Sequence, residues 1–338
     1  MTYDALLILS FGGPEGPDDV MPFLENVTRG RDVPRERLLE VAEHYHHLGG
    51  VSPINAQVRA LITALEQELR AHGCALPIYW GNRNWNPMLA PTVAQMKADG
   101  VQHALAFVTS AWGSYSACRQ YREDIARAQE TVGEGAPRID KIRPYFDHPG
   151  FLEAQADRVR EALATLPQAT DVRLMFTAHS IPTSMATTSA YEAQLREASR
   201  IVAAMAAPGA PWSLVYQSRS GPPQVPWLEP DVLDALTVHA AEHGTQAVVL
   251  VPIGFTSDHV EVIWDLDHEA TQRAGALGIT LVRAGTVGTH PTFVRGIREL
   301  IEESTTSGPR RSLATPGALP ATCTPGCCPP PAARPTRA

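Results

Sequence analysis

Apolar positions along this chain follow two alternating rhythms. Short stretches dense in apolar residues occur at 4–11, 76–81, 101–110, 171–180, 212–218, 245–252 and 279–285, and a more mixed one, IDKIRPY, at 139–145. Runs of that length, rich in Val, Ile and Leu, predict strands buried on both faces. Between them apolar residues recur every three or four positions. That spacing predicts helices over 17–27, 34–48, 54–72, 89–99, 114–131, 149–165, 186–207, 230–243, 257–274 and 290–303. Strands alternating with helices imply βαβ units and parallel sheets. The order of elements runs through once and then repeats, so the prediction is an α/β fold in two halves. These are 1–145 and 146–303, with the last helix counted in the second. Residues 304–338 show neither period and are rich in Pro, Ala and Thr, the composition of a disordered tail.

Within that frame the stretch 251–270, VPIGFTSDHVEVIWDLDHEA, stands out. It leaves a buried strand, turns at Gly254 and is predicted to become a helix near Ser257, whose hydroxyl is placed to cap it. Glu261, Asp265 and Glu269 then fall four apart, which puts three carboxylates on one face. Like charges at that spacing repel. A cation is expected to neutralise them, and a divalent metal is the economical choice. His259 sits in the first turn. His179, in TAHSIP, follows another buried strand. Both loops lie at the carboxyl ends of strands, where open α/β sheets bind ligands. An imidazole facing a carboxylate there suits proton transfer or the holding of divalent iron or zinc.

Other strand-end loops add a setting. YQSRSGPPQVPWLEP (216–230) is stiff and apolar enough to wall a pocket for a flat hydrophobic ligand. VTRGRDVPRERL (27–38) carries Arg29, Arg31, Arg35 and Arg37, forked donors suited to ligand carboxylates. In HYHHLGGVSPIN (44–55) the three histidines do not all share one helix face.

Charge and cysteine content narrow the classes. The net charge of −8 disfavours a broad nucleic-acid surface, which needs a basic patch. No apolar run reaches membrane-spanning length, and the start MTYDALLILSFGGP lacks a charged n-region. The expectation is a cytoplasmic protein whose five cysteines are not structural disulfides. Cys323, Cys327 and Cys328 cluster in the tail, and Cys118 makes a fourth thiolate; four suit an iron–sulfur centre or a structural zinc. Cys74 reads as a buried thiol.

Taken together, LSFGGP (9–14), HYHHLGGVSP (44–53), TAHSIP, YQSRSGPPQVPWLEP and IGFTSDHVEVIWDLDHE (253–269) resemble the ferrochelatases, which insert Fe2+ into a porphyrin. The resemblance implies the class II chelatase fold, two Rossmann-like domains with the porphyrin cleft between them. It implies that His179 and Glu261 are the catalytic, iron-binding pair, and that Asp265 and Glu269 guide the iron or hold a second divalent cation. Ser52 and Tyr121 match porphyrin contacts, Tyr45 lies in the matching segment, and Arg29 and Arg31 lie in the basic loop. Phe11 stands where some members have a metal-ligating tyrosine, and His44 where an arginine is frequent. Phe11 and Trp227 are expected to wall the macrocycle. The four cysteines are similar to those of the actinobacterial branch, which implies a 2Fe–2S cluster on Cys118, Cys323, Cys327 and Cys328. That branch is similar to coproporphyrin ferrochelatases, which make Fe-coproporphyrin III for haem. Coproporphyrin III is therefore the expected ligand, with transient contact with neighbouring haem-pathway enzymes. Protoporphyrin IX or another tetrapyrrole remains the alternative substrate, and a non-catalytic haem carrier the alternative class.

The chemistry asks for the same residues. Metalation removes two pyrrole protons and delivers a desolvated Fe2+, which calls for a base near neutrality and a carboxylate for the ion.

Overall fold

The computed structural model describes residues 3–30, 33–167, 171–222, 224–244, 246–306, 310–315, 317, 323–324 and 326–330. The predicted runs form two four-stranded parallel sheets. The first holds β1 (Ala5–Ser10), β2 (Ile78–Asn82), β3 (His103–Val108) and β4 (Arg138–Lys141), in the order β2-β1-β3-β4. The second holds β5 (Val172–His179), β6 (Trp212–Gln217), β7 (Ala247–Val251) and β8 (Leu281–Arg283), in the order β6-β5-β7-β8. The two orders are the same, one sheet after the other. In each, the chain reverses direction across the sheet between its first and third strands. β1 and β7, central in their sheets, are buried along their whole length, which is why they read as unbroken apolar runs.

Helices pack on both faces of the sheets. The first half carries α1 (Val20–Val27), α2 (Arg35–His47), α3 (Ile54–Ala71), α4 (Leu89–Ala98) and α5 (Gln120–Val132). The second carries α6 (Pro149–Leu163), α7 (Thr183–Ala186), α8 (Tyr191–Ala206), α9 (Val232–His243), α10 (Val260–Val262), α11 (Thr271–Leu277) and α12 (Pro291–Thr305). The two halves share one core. Leu61, Leu65 and Leu69 of α3 lie in the same buried cluster as Phe151 of α6, Phe176 of β5 and Phe293, Ile297 and Leu300 of α12. The last helix thus packs back on the first half as well as on its own, and Arg298 clasps Glu68 of α3 at 2.8 Å. Hydrogen bonds join the halves near the strand ends. Trp112 Nε1 donates to Gly254 O at 2.9 Å, Thr256 Oγ1 to Thr109 O at 2.9 Å, and Asp258 N to Gln57 Oε1 at 2.9 Å.

The acidic helix differs from its predicted form in two ways. It starts at Val260 and not at Ser257; His259 is the cap residue, extended at φ −148° and ψ 177°, with no side-chain cap bond. The cause lies in Asp258, whose amide is held by Gln57 and whose carboxylate is gripped by Arg283 Nη1 at 3.1 Å, so the chain cannot coil there. After one turn of α10, residues Ile263–Ala270 wind as a π-helix before α11 resumes and ends at Gly278, φ +70°. Four residues overshoot an α-turn of 3.6, so a row at that spacing drifts round an α-helix. The wider π turn, of more than four residues, reverses the sense of that drift across the row that holds Glu261, Asp265 and Glu269; such segments gather at functional sites. A second π turn, Tyr115–Arg119, precedes α5 where a continuous helix is predicted.

Candidate active site

The site is built at the point of reversal of the second sheet. His179 ends β5, and the chain leaving its neighbour β7 leads to Glu261. The two loops therefore flank the crevice that this topology opens. His179 Nε2 lies 3.8 Å from Glu261 Oε2. The other ring nitrogen, Nδ1, is hydrogen-bonded to the Ser180 carbonyl. A carbonyl only accepts, so Nδ1 carries a proton and donates it there, which leaves Nε2 as the ring nitrogen that faces Glu261. Two bonds fix this strand end: Tyr191 OH donates to His179 O at 3.0 Å, and Ser180 N to Gln217 O at 2.8 Å.

A second imidazole reaches the same carboxylate. His259 Nδ1 is also 3.8 Å from Glu261 Oε2, and its ring rests edge-on against Phe255. Burial holds the His259 pKa below that of a free imidazole, against the pull of Glu261. The sequence placed His259 next to the acidic row without giving it this contact.

Asp265 sits one turn deeper. Gln217 Nε2 donates to its Oδ2 at 3.1 Å, and Ser218 Oγ donates to the same atom. Ser218 is at φ +59°, a left-handed conformation that L side chains rarely adopt. Burial pushes the Asp265 carboxyl up to about 7, opposed by the Ser218 bond and reinforced by Glu261. Gln217 and Ser218 escape a sequence reading because they belong to a strand end that looks like wall.

The first half supplies aromatic surface opposite. Phe11, after β1, is 36% exposed and meets Phe23 edge-on; Phe23 packs on Tyr45 and Trp85. Tyr45 is buried in the same cluster as Val260 from the other half, and burial raises its pKa. Arg83, another residue the sequence did not single out, sits over the rings of Phe11 and Tyr121 and pairs with Asp124 at 2.9 Å. Tyr121 and Ser52 are buried, and Trp227 is half-buried where its segment bridges to Pro182. Arg29 is exposed; Arg31 lies outside the described residues. His44 stacks on Trp264, beside the acidic row.

The four cysteines form a separate group around the second π turn. Cys118 is buried and hydrogen-bonded to the Cys323 thiol, which also meets Cys327; Cys327 in turn meets Cys328. Arg122 Nη1 donates to Cys327 Sγ at 3.5 Å, and Arg119 Nη1 to Cys327 O at 3.2 Å. The Cys323 bond, with Lys141 and Arg122 nearby, pulls the Cys118 thiol below its ordinary value. Burial pushes Cys328 up to about 11. Among the described residues, no group of three or more His, Cys, Asp or Glu side chains is arranged to hold a metal ion. The thiols are adjacent and paired with each other. By residue type, four thiols with cationic side chains beside them are donors of the kind an iron–sulfur centre takes, though they are not grouped around one point. No helix among the described residues is long and apolar enough to cross a membrane.

A family model described as Ferrochelatase matches residues 3–305. The chain belongs to the ferrochelatase family. It is 57% identical over 302 residues to a ferrochelatase of Rhodopirellula baltica, covering 89% of this chain and 86% of that one. It is 54% identical to the coproporphyrin III ferrochelatase of Nocardia farcinica, over 98% of this chain and 97% of the relative. The corresponding protein of Mycolicibacterium smegmatis is 52% identical, over 97% of this chain and 99% of its own. Among solved structures, the protein SirB of Bacillus subtilis with Fe3+ superposes with a TM-score of 0.53 at 13% identity, covering 90% of this chain and 98% of that one. That likeness shows the fold alone, two parallel sheets with helices packed on them.

Proposed function

We propose that this chain inserts Fe2+ into coproporphyrin III to give Fe-coproporphyrin III, with His179 and Glu261 at the reacting centre. The imidazole–carboxylate pair, 3.8 Å apart at the sheet's crevice, carries the reading. Names of relatives that match nearly full length support the substrate. The macrocycle would lie between the Phe11 wall and the His179 rim, with Trp227 beside it. Ser52, Tyr121, Tyr45, Arg29 and Arg31 belong to the half that would receive its edge. His179, through Nε2, accepts a pyrrole proton or holds the ion; Glu261 offsets the charge of the arriving Fe2+. Asp265 and Glu269, in line behind, draw the cation inward or hold a second one. Phe11 offers no ligand, so no protein donor comes from that position on the opposite face of the ring.

The test is His179→Ala. Iron insertion is expected to fall by at least about 10²-fold, the size of a lost general base. The absorption shift on porphyrin binding is expected to persist. Retained turnover removes His179 from the mechanism. A competition assay decides the ring: equal use of protoporphyrin IX and coproporphyrin III refutes the four-propionate preference.

The reading extends to a 2Fe–2S cluster on Cys118, Cys323, Cys327 and Cys328, supported by the adjacency of the thiols and their cationic surroundings. Such a centre would supply one-electron redox chemistry and would tie the tail to the π turn that precedes α5. Purified protein is expected to be brown, with the visible absorption lost in Cys118→Ser; colourless protein with stoichiometric zinc refutes this.

A further inference from the structure

Three imidazoles gather round one indole at the outer end of the acidic row. His44 and His47 are three apart on α2, on one face, and both meet the π-helical segment of the other half. His44 stacks on Trp264 with centroids 4.1 Å apart, and His268 stacks on it at 4.5 Å. His47 meets the Trp264 edge at 5.3 Å and approaches His268 with centroids 5.0 Å apart. Glu269 follows His268 in the chain, and its charge is felt by His44. Packing alone does not call for the His47–His268 pair. His47 is exposed, and among the described residues its ring has no hydrogen-bond partner; His268 has only the Gln272 amide, at 3.3 Å from Nε2.

The spacing fits a shared ion. A metal at a bond length of about 2.1 Å from an imidazole nitrogen lies about 3.2 Å from the ring centroid. Two centroids 5.0 Å apart then subtend about 100° at the ion, between octahedral and tetrahedral angles. Imidazole suits divalent iron, cobalt and zinc. We propose that His47 and His268 form a capture site for the incoming divalent cation, one ligand from each half, with water in the remaining positions. From there the ion has Glu269, Asp265 and Glu261 in sequence ahead of it. The capture role rests on the iron-insertion reading, but the site does not, and a binding measurement separates the two.

Co2+ is the probe, because a paramagnetic ion on this pair sits against Trp264 and quenches its fluorescence. Titration of the full chain with Co2+ is expected to give a saturable quench that Trp264→Phe removes. His47→Ala and His268→Ala are each expected to weaken it by at least about tenfold, as loss of a direct ligand must exceed the loss of an outer-shell partner. Glu261→Gln is expected to retain the quench. In steady state, His47→Ala is expected to raise KM for Fe2+ by more than it lowers kcat. A quench indifferent to both His47→Ala and His268→Ala, or one abolished by Glu261→Gln, overturns the proposal. Because His47 is exposed on α2, its substitution leaves the fold intact, and circular dichroism of the variant checks this.

Discussion

Gly254→Ala puts the geometry of the site to its sharpest test. Gly254 is the turn out of β7. Its amide donates to Thr177 O at 3.0 Å, and its carbonyl accepts from Trp112 Nε1 at 2.9 Å. A Cβ built on it would lie 2.7 Å from Ala178 Cα and 2.8 Å from Ala178 Cβ. Carbon atoms rest about 3.5–4.0 Å apart, so about 1 Å of separation has to be found. The obstruction is backbone, in a strand paired with β6 on one side and β7 on the other. His179 is the next residue. Held in place, the strand stores the clash, which costs about 1–3 kcal/mol of stability. Yielding, it moves His179 relative to Glu261, and a misplacement near 1 Å costs about 10²-fold in rate. The expected result is a lowered melting temperature together with a fall in kcat of about one to two orders of magnitude, porphyrin binding being retained. The control is Gly275→Ala in α11, where the added Cβ meets nothing within 4 Å. That change is expected to be neutral or to stabilise by about 0.4–1 kcal/mol. If Gly254→Ala melts and turns over like the parent, the close approach does not set the position of His179, and the account of the site is wrong.

His259→Ala removes the second imidazole from the Glu261 carboxylate and is expected to lower kcat about tenfold to a hundredfold, less than His179→Ala, in the iron-insertion assay. An unchanged rate would make His259 packing only. His148 governs acid stability. Burial, with Arg143, Arg311 and Arg295 around it, pulls its pKa down to about 3. Glu299 and Glu303 are 3.7 and 3.8 Å from His148 Nε2, but each already pairs with an arginine. The folded value lies below the unfolded one of about 6.5, so the unfolded chain binds the extra proton between them. Stability is complete above about pH 6.5 and falls as pH drops toward 3, by about 2 kcal/mol between pH 8 and pH 5. His148 Nδ1 also caps α6 by accepting from Gly150 N, a task asparagine performs. His148→Asn is therefore expected to flatten the pH dependence of chemical denaturation, and equal slopes in parent and variant would refute the assignment.

Much of the fold was legible because burial on both faces leaves a strong mark. All eight predicted runs are strands, and the helices lie where the three- and four-residue spacing put them, within a few residues. The pairing of the sheets, the shared core and the docking of α12 on α3 were not legible, since they depend on contacts far apart in sequence. At the candidate site, strand ends and carboxylate spacing singled out His179, Glu261 and Asp265; the structure places His179 Nε2 3.8 Å from Glu261 Oε2 and bonds Asp265 to Gln217 at the end of the neighbouring strand. The start of the acidic helix was misplaced because Ser257 is a good cap by residue type, whereas Gln57 and Arg283, from elsewhere in the chain, hold the next residue outside the helix. Local propensity cannot register a competitor of that kind. The π winding was missed for a similar reason: a four-residue spacing of carboxylates reads as one face in either helix. His44 and His47 share a face, as their spacing allows, and His46 does not join them.

The repeated strand order explains why such dispersed residues meet. Each sheet reverses between its first and third strands, and each reversal opens a crevice at the strand ends. In the first half the chain leaving β1 supplies Phe11, and the chain leaving β3 supplies Trp112. In the second, β5 supplies His179, and the chain leaving β7 supplies Gly254 and Glu261. Trp112 reaches across to Gly254, so one of the bonds that join the halves lies in the loop that leads to Glu261. Thr256 and Asp258, also bonded to the first half, are in that loop too. The relation between the aromatic surface of the first half and the rim that holds His179 and Glu261 is therefore fixed by these few contacts in the 254–258 loop. A hinge between halves could widen the cleft only by disturbing this loop. Access for a flat ring has to come instead from the parts that these bonds leave free, α1, α2 and the π-helical segment, where the contacts between halves are ring stacks and apolar packing and not backbone hydrogen bonds.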